Sequence, residues 1–153
     1  MNGHYKGDRT YASTSNFYFY GKPRRTAAEI TGILGKEKVN IRALALADTS
    51  DFGILRLIVD KPDYTLEILR KEGFTLRENT VIACAVEDKP GGLNKILSVL
   101  ADVNISVEYM YGFVEENSKE AVMVIRVEYT EKAIETLMEN NVTLLKGEQI
   151  YSM

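Results

Sequence analysis

The chain says the same thing twice. Val39-Asn40-Ile41 stands between a helix-period segment and a strand-like one, and Ile105-Ser106-Val107 holds the same place 66 residues later (106 − 40). A loop with Lys-Pro precedes each triplet, at Lys22-Pro23 and at Lys89-Pro90. A period of this length exceeds any solenoid unit and is about the smallest size that buries its own core. The expectation is therefore two small domains of one fold. The 153 residues have room for both.

The second copy is the cleaner. Residues 81–86 form a continuous apolar run that ends in Glu87-Asp88-Lys89-Pro90-Gly91-Gly92, as a buried strand entering a turn would. Leu93, Ile96, Leu97 and Leu100 then recur at the spacing of one helix face. Pro90 with Gly91-Gly92 marks the start of that helix, with Asp88 near its positive end. Residues 107–114, aromatic and β-branched, and residues 121–127 read as strands around a turn. Ala133, Ile134, Leu137 and Met138 mark a second helix, stopped near Asn140-Asn141, and residues 142–145 begin a last strand. The first copy repeats the order with strands at 17–20, 41–47, 54–59 and 74–76 and helices around Ile30-Ile33-Leu34 and at 64–71.

The order βαββαβ with right-handed crossovers predicts an α+β, ferredoxin-like domain, a four-stranded antiparallel sheet with both helices on one face. The expected division is a polar tail at 1–15, a first domain at 16–79 and a second at 80–153, abutting without a flexible linker. The other sheet face should then alternate with polar residues, yet residues 54–59 and 121–125 are apolar almost throughout. A second sheet covering the Leu57 and Val124 face, as in a homodimer, would account for this.

Composition narrows the function. With 45% apolar and 27% charged residues the chain is globular rather than disordered. A net charge of −3 argues against a dedicated nucleic-acid binder, which needs a basic face. The basic run from Lys22 to Arg25 reads as a solvated loop. Cys84, the single cysteine, lies in an apolar run and fits a buried, inert thiol in a reducing, cytoplasmic setting. His4, the single histidine, has no companions at ligand spacing, so no metal site is expected. No apolar stretch approaches the roughly 20 residues of a membrane span. The leader lacks a signal-peptide pattern and is expected to be a tail ordered only by contact.

Several of these segments resemble the ACT domain, a small regulatory module that binds amino acids. Asp88-Lys89-Pro90-Gly91-Gly92-Leu93, the helix face behind it and Ile105-Ser106-Val107 follow that pattern. Val39-Asn40-Ile41-Arg42-Ala43-Leu44, the block Ala47-Asp48-Thr49-Ser50-Asp51-Phe52-Gly53-Ile54-Leu55-Arg56 and Glu108-Tyr109-Met110-Tyr111 are similar to bacterial tandem ACT pairs. The resemblance runs from about Phe17 to the C-terminus. It implies strand order 4-1-3-2 in each domain, and pairing of the domains through their strand 2 edges into one eight-stranded antiparallel sheet. It also implies amino-acid binding at their junction, between the strand 1–helix 1 loop of one domain and strand 2 of its neighbour.

The residues supply chemistry for such a site. Gly91, Gly92 and Leu93 begin a helix, so their N–H groups can receive a carboxylate, and the glycines allow close approach. Asp88 can answer an α-ammonium, and Lys89 and Pro90 of the same loop are expected among the ligand-binding residues. Asn40-Ile41 and Ser106 stand at the starts of the two second strands. The structural alternative stays open at each: Gly91-Gly92 make a turn and Asp88 caps it. Gly21-Lys22-Pro23-Arg24-Arg25-Thr26 departs from the pattern, with no acidic residue before Lys and bulky Arg24 after Pro. Either that site is lost, or its arginines bind the carboxylate directly. Thr49-Ser50-Asp51 reads as a hairpin turn.

Four functions come into consideration. The favoured one is a stand-alone regulator sensing a free amino acid or small carboxylate, without cofactor, and passing the signal to a partner enzyme or transporter. A structural partner module without its own ligand is the alternative. An enzyme would need a nucleophile and base, and none is visible. RNA binding would need a basic surface beside Tyr109, Tyr111 and Phe113, which an acidic chain lacks.

Overall fold

A computed structural model describes residues 14–21, 23–48, 53–114 and 118–153. His4, Lys22 and the Thr49-Ser50-Asp51 turn lie outside the described residues. In chain order the elements are β1 (Thr14–Gly21), α1 (Pro23–Lys36), β2 (Ile41–Asp48), β3 (Gly53–Val59), α2 (Pro62–Lys71) and β4 (Leu76–Glu87). After these come α3 (Gly92–Asp102), β5 (Val107–Val114), β6 (Glu120–Val127), α4 (Thr130–Glu139), β7 (Leu144–Leu145) and α5 (Gly147–Ser152). The chain divides into two compact units. The second repeat, Thr80–Gly147, makes one, and Ser15–Asn79 with Glu148–Met153 makes the other.

All four repeat helices end in the same way. The closing residue lies in the left-handed region, Lys38 at φ 53°, Gly73 at 83°, Asn104 at 57° and Asn141 at 57°. Its N–H bonds back to the carbonyl three residues earlier, and the next N–H reaches the carbonyl five residues earlier. Val39 to Leu34, Phe74 to Leu69, Ile105 to Leu100 and Val142 to Leu137 are those longer bonds, at 2.9–3.0 Å. This is the Schellman stop, which satisfies orphan carbonyls and brings an apolar residue beyond the turn against one in the last helical turn. Here the inner partner is leucine each time, and all four leucines are buried. The stops therefore set where each following strand begins.

Packing follows the repeats. Leu34, Val39, Leu55, Leu57, Val59 and Leu69 share one core cluster in the first. Ile82, Val86, Leu100, Ile105, Ile125 and Leu137 share the other. Strands and helices meet on one sheet face in both. In the second repeat β4 pairs with β7 and β6, and β5 with β6, all antiparallel. The order is β7-β4-β6-β5. In the first, β3 lies between β1 and β2, and β4 follows β1.

Three expectations change. Strand 4 of the first repeat and strand 1 of the second are one continuous strand, β4, because Arg77-Glu78-Asn79-Thr80 contains no Gly or Pro to break it. A single eight-stranded sheet paired through strand 2 edges is not seen among the described residues. Two antiparallel sheets are present, and among the described residues β2 pairs with β3 alone and β5 with β6 alone. Leu57 lies not on the bare face but in the helix-side core, while Val124 faces the other way, outside the helix-side cluster. Ile58, Val122 and Val124 on that other face are buried within one chain.

Two side chains register the environment of the core. Thr65 is fully buried and its Oγ1 has no hydrogen-bond partner among the described residues, where the second repeat has Ala133. Cys84 is fully buried, and burial pushes its thiol up to about 12. Its Sγ lies 3.6 Å from the Met123 carbonyl.

Lysine in the left-handed region at 38 carries strain that glycine lacks. Lys38→Gly is expected to raise stability by about 1 kcal/mol, while Gly73→Ala lowers it by a similar amount. Urea midpoints with unchanged slopes would show both, and a loss on Lys38→Gly would contradict the stop geometry. The thiol keeps its proton when folded and loses it above about pH 8.5 when unfolded, so the unfolded state binds fewer protons there. Stability should fall as pH rises from about 8.5 toward 12, by up to about 1.4 kcal/mol per unit from this group. Denaturant curves at pH 8 and 10 should show a shallower fall in Cys84→Ala.

Candidate functional site

The second repeat holds a cavity of about 290 Å³ at the end of β4. That is just below the roughly 300–1,000 Å³ of drug-sized sites and suits a single small metabolite. Three segments wall it. Ala85 to Glu87 end β4, and Lys89, Gly91, Gly92, Lys95 and Ile96 come from the turn and first turns of α3. Glu120 opens β6, and Asn141, Val142 and Thr143 form the stop after α4. Strand pairing brings these together: Glu87 lies opposite Glu120, and the Ala85 N–H donates to the Thr143 carbonyl at 2.9 Å.

The turn is built by its glycines. Gly91 caps α3 with φ 86°, where a β-branched residue would be strained. A Cβ on Gly92 would stand 2.2 Å from the Glu87 carbonyl oxygen. Both positions are thus required by the fold before any ligand enters. No side chain caps α3, so the N–H groups of Leu93 and Asn94 have no acceptor within the helix. The expected Gly92 N–H is already spent, on the Lys89 carbonyl at 3.0 Å.

Charges of both signs line the cavity. Lys89 pairs with Glu87, and its hydrogen bond and charge hold the Glu87 carboxyl below the usual range. Lys95, one helical turn beyond Gly91, and Glu120 make no ion pair among the described residues. Lys95 also lowers the Glu87 carboxyl through its charge without a direct ion pair, so its ammonium and the Glu120 carboxylate still face the cavity. Such a lining suits a zwitterion better than a simple anion.

The predicted residues divide accordingly. Lys89, Gly91 and Gly92 line the cavity. Asp88, Pro90 and Leu93 belong to the same turn and helix start without lining it. The Asp88 N–H bonds to the Lys119 carbonyl at 3.1 Å, and Leu93 packs on the core. Ser106 stands at the other end of the second repeat, since β5 begins with Val107 opposite Val127. Asn40 and Ile41 belong to the first unit. The Asn40 N–H donates to Asp60 Oδ1 at 2.9 Å, and Ile41 packs against the first core. Lys95, Glu120 and Asn141–Thr143 were missed. Strand register would have pointed to Glu120, and helical spacing from Gly91 to Lys95.

Among the described residues no group of three or more His, Cys, Asp or Glu could hold a metal ion, and no helix is long and apolar enough to cross a membrane.

Comparison with known proteins bears on the whole chain. The crystal structure of protein BT0572 from Bacteroides thetaiotaomicron is similar at a TM-score of 0.84, with 34% identity over 92% of this chain and 96% of that one. The ligand-free regulatory subunit of aspartate kinase from Thermus thermophilus has the same fold at a TM-score of 0.55 and 16% identity, over 82% and 91%. The aspartokinase alpha and beta subunits match at 0.54 and 17%, over 82% and 90%. A comparison with curated proteins gives no match. The profile of the ACT domain pair covers residues 19–153. With its two βαββαβ repeats, its Lys-Pro-Gly turn and this match over nearly its full length, the chain belongs to the ACT domain pair family.

Proposed function

We propose that this protein is a stand-alone regulatory sensor of a free amino acid or a closely related small carboxylate. The cavity at the β4–α3 turn carries the reading, because it offers both charges at one small site. In this reading the ligand carboxylate takes Lys95 beside Gly91 and Gly92, at the positive end of α3. The α-ammonium takes Glu120 and the free side of Glu87, and Asp88 adds negative charge at the rim. The carboxylates repel a second anion and so select against dicarboxylates with a free tail. Binding would tighten the strand end, the helix start and the helix stop that line the cavity, which is how a small ligand shifts an equilibrium.

Regulation, and not catalysis, fits the chemistry of the chain. The buried Cys84 thiol, held neutral up to about 12, is no nucleophile. The reduced thiol suits the cytoplasm. That an aspartate kinase has a regulatory subunit of this fold fits a protein whose signal passes to a partner enzyme. A second reading, a pairing module without ligand, draws on one observation. Leu44 and Leu46 are 54% and 49% exposed on the edge strand β2. A homodimer in either reading would use such an edge rather than the buried sheet face. Light scattering at micromolar concentration checks it, and a monomer there removes the dimer.

A thermal-shift screen of the twenty amino acids tests the ligand. At 100 times its Kd a ligand adds about 2.7 kcal/mol, a rise of roughly 5–10 °C for a chain of this size. Lys95→Met and Glu120→Gln should each weaken binding by about tenfold or more, leaving the ligand-free melting temperature nearly unchanged. If none of the twenty shifts it at millimolar concentration, the pairing-module reading replaces the sensor.

A further inference from the structure

Strand register sets two like charges against each other at the cavity. Glu87, the last residue of β4, lies directly opposite Glu120, the first of β6, and both line the cavity. Carboxylates directly opposite on antiparallel strands repel, a cost that a neutral residue at either place would remove. The equivalent strands of the first repeat, β1 and β3, close on Gly21 opposite Gly53 and carry no charge there. The second repeat therefore keeps a repulsion that its twin does without, and keeps it where the cavity is.

Lys89 relieves one side of it. Its ammonium pairs with Glu87 across a turn whose backbone is held at three points. The Lys89 N–H donates to the Glu87 carbonyl at 2.8 Å, the Gly92 N–H to the Lys89 carbonyl at 3.0 Å, and the Asp88 N–H to the Lys119 carbonyl at 3.1 Å. The two side chains are far freer, 64% exposed for Lys89 and 59% for Glu87. An ion pair so open to water is worth little and gives way to another cation. Glu120 makes no ion pair among the described residues. A free ammonium set between Glu87 and Glu120 would relieve both carboxylates, which Lys89 does not.

We propose that the Lys89 ammonium is a built-in competitor for the seat between Glu87 and Glu120, held there in the ligand-free chain and displaced by the ligand's own ammonium. The proposal rests on the cavity being the ligand site. It reverses the role that the Lys-Pro-Gly turn suggests for this residue, because Lys89 lowers the affinity instead of adding to it. The apparent Kd is the intrinsic one divided by the fraction of molecules in which the seat is free. Lys89 thus raises the concentration at which the sensor responds.

An amine without a carboxylate isolates this seat from the rest of the site. Methylammonium chloride is titrated into the full-length chain at constant ionic strength, with the side-chain carboxyl carbons of Glu87 and Glu120 followed by NMR. Lys89→Met should bind it about fivefold more tightly than wild type, with both carboxyl signals moving on one curve. Lys89→Gln should behave in the same way, and Lys89→Arg, which keeps the cation, should bind like wild type. Equal or weaker binding in Lys89→Met and Lys89→Gln overturns the competitor, as does a Glu120 signal that stays still while Glu87 moves. A negative amino-acid screen removes the sensor reading by itself, and the absence of a gain in these variants removes the competitor by itself.

Discussion

Everything in this fold hangs from the way its helices stop. A left-handed residue turns the chain, two backbone bonds close the turn, and an apolar residue just beyond is pressed against a leucine of the last helical turn. Leu34 with Val39, Leu69 with Phe74, Leu100 with Ile105 and Leu137 with Val142 are the four instances. Each pair fixes the exit of a helix and the phase of the strand beyond it. Side chains alternate along a strand, so a slip of one residue would exchange its buried and exposed faces. One of these stops, after α4, also supplies a wall of the cavity, which ties the site to the same device.

The repeats have used that shared frame differently. The second has glycines at 91 and 92, an open helix start and a wall that ends in α5. The first keeps the edge strand β2 and receives α5 through Arg42. β4 runs from one repeat into the other as an unbroken strand. One repeat offers a cavity and the other an exposed edge. In the proposed function the cavity takes the ligand and the exposed edge takes the partner.

Much of this was legible in the residues. Helices read well because Leu93, Ile96, Leu97 and Leu100 hold a helical period and because the stops carry Gly or Asn at three of four ends. Strand faces read poorly. A run such as Ile54-Leu55-Arg56-Leu57-Ile58-Val59 is apolar almost throughout, so nothing in it says that Leu57 faces the helices and Ile58 does not. The join in β4 was hidden because Arg77-Glu78-Asn79-Thr80 is polar like a loop while its backbone is extended. α5 was hidden because six residues with one buried isoleucine carry no period. At the site, Lys89, Gly91 and Gly92 stood out through their turn chemistry. Lys95, Glu120 and Asn141–Thr143 reach the cavity through helix spacing, strand register and a helix stop, none of which a local motif encodes.

The most direct measurement is backbone amide shift mapping during titration with the amino acid that stabilises the chain most. Gly91, Gly92, Lys95 and Asn141–Thr143 are expected to move together along one saturation curve. Shifts that leave the α3 start and the stop after α4 untouched would contradict a ligand site at the β4–α3 turn and place the ligand elsewhere.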